Sequence, residues 1–126
     1  CEKCKKEIEL EPAIKAKVME ILKEAGSRPL AGEAGESEVG SLETLKFYGP
    51  VGCEECSQIG YRGRVGIYEM FNLTPEIEQV ILSSEISEYK IRDLAKKNSM
   101  ISLVTDGLLK AAEGITSAEE VFRVAE

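Results

Sequence analysis

Cys53-Glu54-Glu55-Cys56-Ser57-Gln58-Ile59-Gly60-Tyr61-Arg62-Gly63-Arg64-Val65-Gly66-Ile67-Tyr68-Glu69 is the stretch on which the reading of this 126-residue chain turns. It opens with two cysteines two residues apart, passes three evenly spaced glycines and runs into an apolar–polar alternation. A CxxC turn brings two thiolates within reach of one metal ion, and two such turns complete a four-sulfur site with zinc–sulfur bonds of about 2.3 Å. The second turn is Cys1-Glu2-Lys3-Cys4, with 48 residues between Cys4 and Cys53. The chain contains no histidine. Cys1, Cys4, Cys53 and Cys56 are therefore the expected ligands, and a site filled by four sulfurs is structural because no position stays open for substrate or water. Zinc is favoured over iron by its availability and structural use. The competing chemistries are a pair of disulfides, a redox dithiol and free thiols. Small disulfide scaffolds carry more cysteine than this, and a redox CxxC sits beside a βαβ pattern.

Outward from the cysteines, Arg64 to Leu73 reads as a strand, with Val65, Ile67 and Phe71 on one face and Tyr68 and Met70 on the other. Glu69 interrupts the first face, and a carboxylate there calls for a partner, expected in Arg62, Arg64 or a residue of another domain. Tyr61, Tyr68, Phe71 and Phe122 are expected in the core. Gly60, Gly63 and Gly66 lead into a strand and not a helix, so they mark tight turns beside the metal, not a dinucleotide loop.

Pro12 to Ala25 has helical spacing at Ile14, Val18, Ile21 and Leu22, with Gly26 as its stop. Ser27 to Gly40 has no period and reads as a mobile surface loop, and Leu42 to Tyr48 reads as extended. Four helices follow. Thr74-Pro75-Glu76 opens the first, which carries Ile77, Val80 and Ile81; Ser87 caps the second, with Ile91, Leu94 and Ala95 inside. Ser102 to Glu113 forms the third, stopped at Gly114, and Thr116-Ser117-Ala118-Glu119 is a capping box for the fourth. The expected architecture is α+β: a small zinc-pinned β element with a preceding helix, then a C-terminal four-helix region. It divides into a tetracysteine metal-binding lobe, 1–61, with its mobile loop at 27–40, and a β-strand plus helical lobe, 62–126.

Lys and Arg number 16 against 23 Asp and Glu, a net charge of −7, which excludes a general nucleic-acid binder because that task needs clustered positive charge. No apolar run approaches the roughly 18 residues needed to cross a bilayer. The chain opens on Cys1, inside a motif, and is expected to be a fragment of something longer.

The run from Cys53 to Glu69 resembles the C-terminal metal-binding region of the type II secretion and type IV pilus assembly ATPases, which show CxxC, a short spacer and GYRGRxGIxE. Further motifs agree in order: Cys1-Glu2-Lys3-Cys4-Lys5, then Met100-Ile101-Ser102-Leu103, Asp106-Gly107, Lys110, and Gly114-Ile115-Thr116-Ser117-Ala118-Glu119-Glu120-Val121. Ser99 and Ser102 depart from the pattern, standing where that family has Gly and Thr.

The resemblance implies a zinc-binding accessory domain of a hexameric ATPase, cytoplasmic and held at the inner membrane through partners. Those partners would be the RecA-like domain of the same parent chain, neighbouring subunits of the hexamer and an inner-membrane platform protein. It implies that Arg62 or Arg64 reaches nucleotide phosphate across a subunit boundary; the other reading is that both solvate the strand entry and pair with local Glu. Secretion and pilus branches share every motif seen here. The sequence has no GxxxxGK[ST] phosphate loop, so ATP and Mg²⁺ are expected only in an upstream domain, and these residues alone are expected to be inactive, with no catalytic residue. The alternative is a free-standing zinc-ribbon interaction module with no ATPase parent.

Overall fold

The computed structural model describes residues 1–25, 45–83 and 87–125. The expected mobile loop at 27–40 and the helix stop at Gly26 lie outside the described residues. The elements in chain order are β1 (Lys6–Ile8), α1 (Pro12–Glu24), β2 (Phe47–Gly49), α2 (Pro75–Leu82), α3 (Glu88–Lys97), α4 (Leu103–Ala112) and α5 (Ala118–Ala125). The class is α+β, as the sequence predicts. No helix among the described residues is long and apolar enough to cross a membrane.

The sheet is a two-stranded antiparallel ladder in which Lys6 faces Gly49, Glu7 faces Tyr48 and Ile8 faces Phe47. This register matters for the cysteines. β1 begins two residues after Cys4 and β2 ends four residues before Cys53, so antiparallel pairing delivers both CxxC turns to the same end of the ladder. Lys46 Nζ reaches Glu7 Oε2 across the strands at 2.8 Å. Three residues make a marginal strand by themselves, and the ladder is held from outside by the core beneath it.

That core joins Leu10, Val18, Leu22 and Phe47 from the front of the chain to Leu108, Ala111, Ala118 and Val121 from its end. α1 presents Val18 and Leu22, one turn apart, to α4, and α4 packs against both β2 and α5. Gly107 lets α5 come close, since a Cβ there would lie 2.6 Å from Val121 Cγ1. α2 and α3 pack on each other, burying Ile77 and Ala95.

The helix ends follow local chemistry. Ser102 Oγ accepts the Thr105 amide at 3.2 Å and so caps α4. At the other end Gly114 (φ +74) ends the helix in the left-handed conformation. Its amide donates to Ala111 O, and the Ile115 amide donates to Lys110 O, the two bonds of a Schellman motif. The same pair closes α3, where Ser99 donates to Lys96 O and Met100 to Ala95 O; here the left-handed position (φ +64) is held by Ser99. The cap of α5 is Ser117, one residue later than the expected capping box. Its Oγ accepts the Glu120 amide at 3.3 Å, and its buried side chain meets Tyr61 Oη at 2.6 Å.

The expected strand fails. Arg64 to Leu73 is not a strand: its only pairing among the described residues is an isolated antiparallel bridge, Met70 to Ile101. Tyr68 and Phe71, expected in the core, are exposed, whereas Tyr61 and Phe122 are half-buried. The segment lies instead along α4, whose polar side chains take its backbone groups. Lys110 Nζ donates to Gly66 O (2.9 Å), and Asp106 Oδ2 accepts the Tyr68 amide (2.9 Å).

Candidate metal centre

Each CxxC folds as a tight turn because its first carbonyl collects the amides that follow. Cys1 O accepts the Cys4 and Lys5 amides at 3.2 and 3.0 Å, and Cys53 O accepts the Cys56 and Gln58 amides at 3.2 and 2.9 Å. Two glycines make the second turn fit. Gly52 (φ +98) has no room for a Cβ, which would lie 2.6 Å from Gln58 O. At Gly60 (φ +84) a Cβ would lie 2.4 Å from Pro50 Cβ. Gly60 also bridges the two turns: its amide donates to Cys56 Sγ at 3.2 Å, and its carbonyl accepts from the backbone nitrogen of Cys1 at 2.7 Å.

The four sulfurs of Cys1, Cys4, Cys53 and Cys56 all lie within 4.8 Å of one another. Cys1 to Cys53 is 3.9 Å, Cys4 to Cys56 is 3.8 Å and Cys53 to Cys56 is 3.7 Å. A tetrahedron with metal–sulfur bonds of about 2.3 Å has edges of about 3.8 Å. The sulfurs thus stand where four ligands of one zinc ion would stand, and all four cysteines are free thiols. No Asp or Glu joins the cluster among the described residues, so the donor set is four sulfurs and no oxygen. That soft, negatively charged set fits zinc.

The surroundings favour thiolate unevenly. Burial pushes the Cys56 thiol up, but the Cys53 and Gly60 amides and the neighbouring Cys53 and Cys4 thiols outweigh it and bring it down to about 7. Cys4 moves the other way: burial raises it, and its bond with Gly52 does not compensate. Two N–H donors on one ligand sulfur are the outer-shell support by which proteins orient a ligand and disperse its charge.

Of the other residues singled out, Arg62 pairs with Glu55 at 3.3 Å, an exposed contact that Glu55 shares with Lys3. Arg64 is exposed and has no ion-pair partner among the described residues. Both arginines line an open cleft of about 720 Å³, with Lys3 and Lys5 near the metal turns and Ile115 and Val124 from the helical side. Glu69 pairs with neither arginine. Its Oε2 accepts the Leu103 amide at 3.1 Å, at the first turn of α4, where the exposed amides and the dipole favour a carboxylate. Sequence reasoning left the polar contacts of Asp106 and Lys110 unassigned; their spacing of four on a helix was the available signal. Lys5 Nζ lies 2.9 Å from Gly114 O and 5.2 Å from the centre of the Tyr48 ring, linking the first CxxC turn to the end of α4.

Residues 1–123 match the family model described as "Type II/IV secretion system protein". Among curated relatives, a type IV pilus assembly ATPase PilB from Pseudomonas aeruginosa is 48% identical over 83 residues, 66% of this chain and 14% of that protein. A PilB from Thermus thermophilus is 34% identical over 122 residues, 97% of this chain and 12% of that protein. The type II secretion system ATPase E of Vibrio cholerae is 40% identical over 82 residues, 65% of this chain and 16% of that protein. The chain therefore spans less than a fifth of the length of these relatives.

Proposed function

The chain belongs to the type II/IV secretion system protein family, and from that premise we propose that it is the zinc-binding accessory region of an ATPase powering type II secretion or type IV pilus assembly. The observation that carries this reading is the convergence of the Cys1, Cys4, Cys53 and Cys56 sulfurs to within 4.8 Å of one another in a chain whose relatives bear ATPase names. Zinc held by the four thiolates would supply a rigid cross-link and no reaction of its own. The protein's own residues do the rest. The β1–β2 ladder aligns the turns, the Gly60 and Cys53 amides support the buried sulfur, and the shared core transmits the rigidity of the 1–61 lobe to the helices of the 62–126 lobe.

The ATP site of such a parent lies outside these residues, in a RecA-like domain of the same chain. The parent is a hexamer acting from the cytoplasm on an inner-membrane platform. Arg62 and Arg64, exposed on the rim of a cleft that also carries Lys3 and Lys5, are the groups available to neutralise phosphate charge on a neighbouring subunit. Metal analysis tests the reading first: one zinc per chain is expected, with Cys1→Ser or Cys56→Ser abolishing both the metal and cooperative folding of the front lobe. The 126 residues alone are expected to hydrolyse ATP no faster than buffer. Cooperative melting with no metal bound, or turnover sensitive to Cys53→Ser, overturns the proposal.

A further inference from the structure

The four sulfurs of the candidate centre are not equivalent. Cys56 is buried and its sulfur takes two backbone amides, from Cys53 and Gly60, at 3.2 Å each. Cys4 is bonded to the Gly52 backbone. Cys1 and Cys53 are half-buried, and among the described residues no backbone amide donates to either sulfur. These two belong to different turns and lie 3.9 Å apart. Cys1 also lines the open cleft that carries Arg62 and Arg64, which gives a small solute a path to it.

An amide that donates to a thiolate draws on the electron pair with which the sulfur attacks an electrophile, and burial blocks the approach. Cys1 and Cys53 keep both their electron density and their access. Hydrogen bonding selects the same pair a second way. A disulfide from Cys56 to Cys53 or Cys4 would draw its sulfur away from the Cys53 and Gly60 amides, and a buried donor left unpaired is costly. A bond between Cys1 and Cys53 leaves both of those amides where they are.

We propose that Cys1 and Cys53 are the oxidation-sensitive pair of this centre, and that a peroxide joins them in a disulfide which takes over the cross-link between the two turns. One thiolate of the pair attacks a peroxide oxygen; the O–O bond breaks, hydroxide leaves and the sulfur becomes a sulfenic acid. The other thiolate attacks that sulfur, the S–O bond breaks and a second hydroxide leaves. Two thiolates, one hydrogen peroxide and two protons thus give one disulfide and two waters, and the sulfurs lose the two electrons that the peroxide gains. Cys4 and Cys56 remain as two ligands where four are needed, so the protein releases the ion. The new bond joins positions 52 residues apart, and both turns stay at the same end of the β1–β2 ladder. Oxidation therefore differs from chelation, which leaves the turns without any cross-link. This inference rests on the reading that the four sulfurs hold zinc, but it concerns which of them react and not what the parent does.

Zinc-loaded protein titrated with hydrogen peroxide tests it, with a chromogenic chelator reading the released metal and non-reducing peptide mapping reading the disulfide. One zinc is expected to leave for each peroxide consumed, with Cys1–Cys53 as the first disulfide and with zinc taken up again after a dithiol reductant. The oxidised protein is expected to keep the helical circular-dichroism signal of the zinc form, whereas chelated protein loses part of it. Iodoacetamide on the unoxidised zinc form gives an independent reading: Cys1 and Cys53 are expected to be alkylated about 10-fold faster than Cys4 and Cys56. A first disulfide within one turn, alkylation of all four at one rate, or an oxidised protein that unfolds as the chelated one does overturns the proposal. Absence of zinc before any peroxide is added would sink the functional reading, and the mapped disulfide would still decide which pair reacts.

Discussion

Replacing Gly60 by Ala strikes the candidate metal centre without touching any of its four cysteines. The position has φ +84, where a Cβ costs about 1–2 kcal/mol. The added methyl would also meet Pro50 Cβ at 2.4 Å and Pro50 Cα at 3.0 Å, so relief requires the backbone ahead of the second CxxC to shift. Overpacking of that kind costs about 1–3 kcal/mol. Together the two effects remove about 2–5 kcal/mol, a large share of a domain stability of about 5–15 kcal/mol. The shift also moves the amide that supports Cys56 and the carbonyl that holds Cys1, and loss of outer-shell contacts costs about 10–100-fold in metal affinity. Gly63→Ala is the control: its φ is +78, but a Cβ there meets nothing within 4 Å, so it bears the conformational cost alone and leaves the metal unaffected. Zinc competition against a chromogenic chelator, with a thermal melt of each variant, separates the two. If the Gly60→Ala protein binds zinc within threefold of wild type and melts with the Gly63→Ala protein, the assignment of Gly60 to the support of the centre is wrong.

Ser99 holds a left-handed position in the Schellman motif that ends α3, and Ser99→Gly is expected to raise stability by up to about 1 kcal/mol, read as an increase in melting temperature. A decrease would mean that the serine side chain contributes more than its backbone costs. Acid sensitivity has a metal-independent part. The Arg123 guanidinium beside Glu120 lowers that carboxyl below its ordinary 4.5, and the bonds of Glu76 to its own amide and to Thr74 do the same for Glu76. Groups depressed in the folded state contribute stability above the unfolded value and lose it as the pH falls through the folded one. The helical region is therefore expected to lose this increment only below pH 4.5, and the Glu120→Gln, Glu76→Gln double variant to show a flatter acid limb in its helical circular-dichroism signal.

The parts of the fold legible in the sequence were those governed by nearest neighbours. Pro12 and the spacing of Val18 and Leu22 marked α1, Ser102 and Gly114 bounded α4, and the two CxxC turns marked the sulfurs before any coordinates. The three-residue strand Lys6–Ile8 was not legible, because it is too short for alternation to show and exists through its pairing with Phe47–Gly49. Arg64 to Leu73 failed for the opposite reason. Its alternation is real, but a period of two records that a surface is to be covered and not what covers it. Among the described residues α4 supplies side chains to that segment where a neighbouring strand would supply a ladder. Glu69 was misassigned because a helix N-terminus thirty-four residues away in sequence competes with the nearby arginines, and only the fold shows that it is closer.

The ammonium of Lys5 has one further implication. It follows Cys4 directly and rests on Gly114 O at the negative end of α4, with Tyr48 beneath it. Stripping out the ion would release the first knuckle and, with it, withdraw a counter-charge from a helix terminus far along the polypeptide. With zinc held by the four sulfurs, as proposed above, chelation would fray that last turn as well, a change visible to a helix-sensitive probe such as circular dichroism even though no ligand belongs to α4.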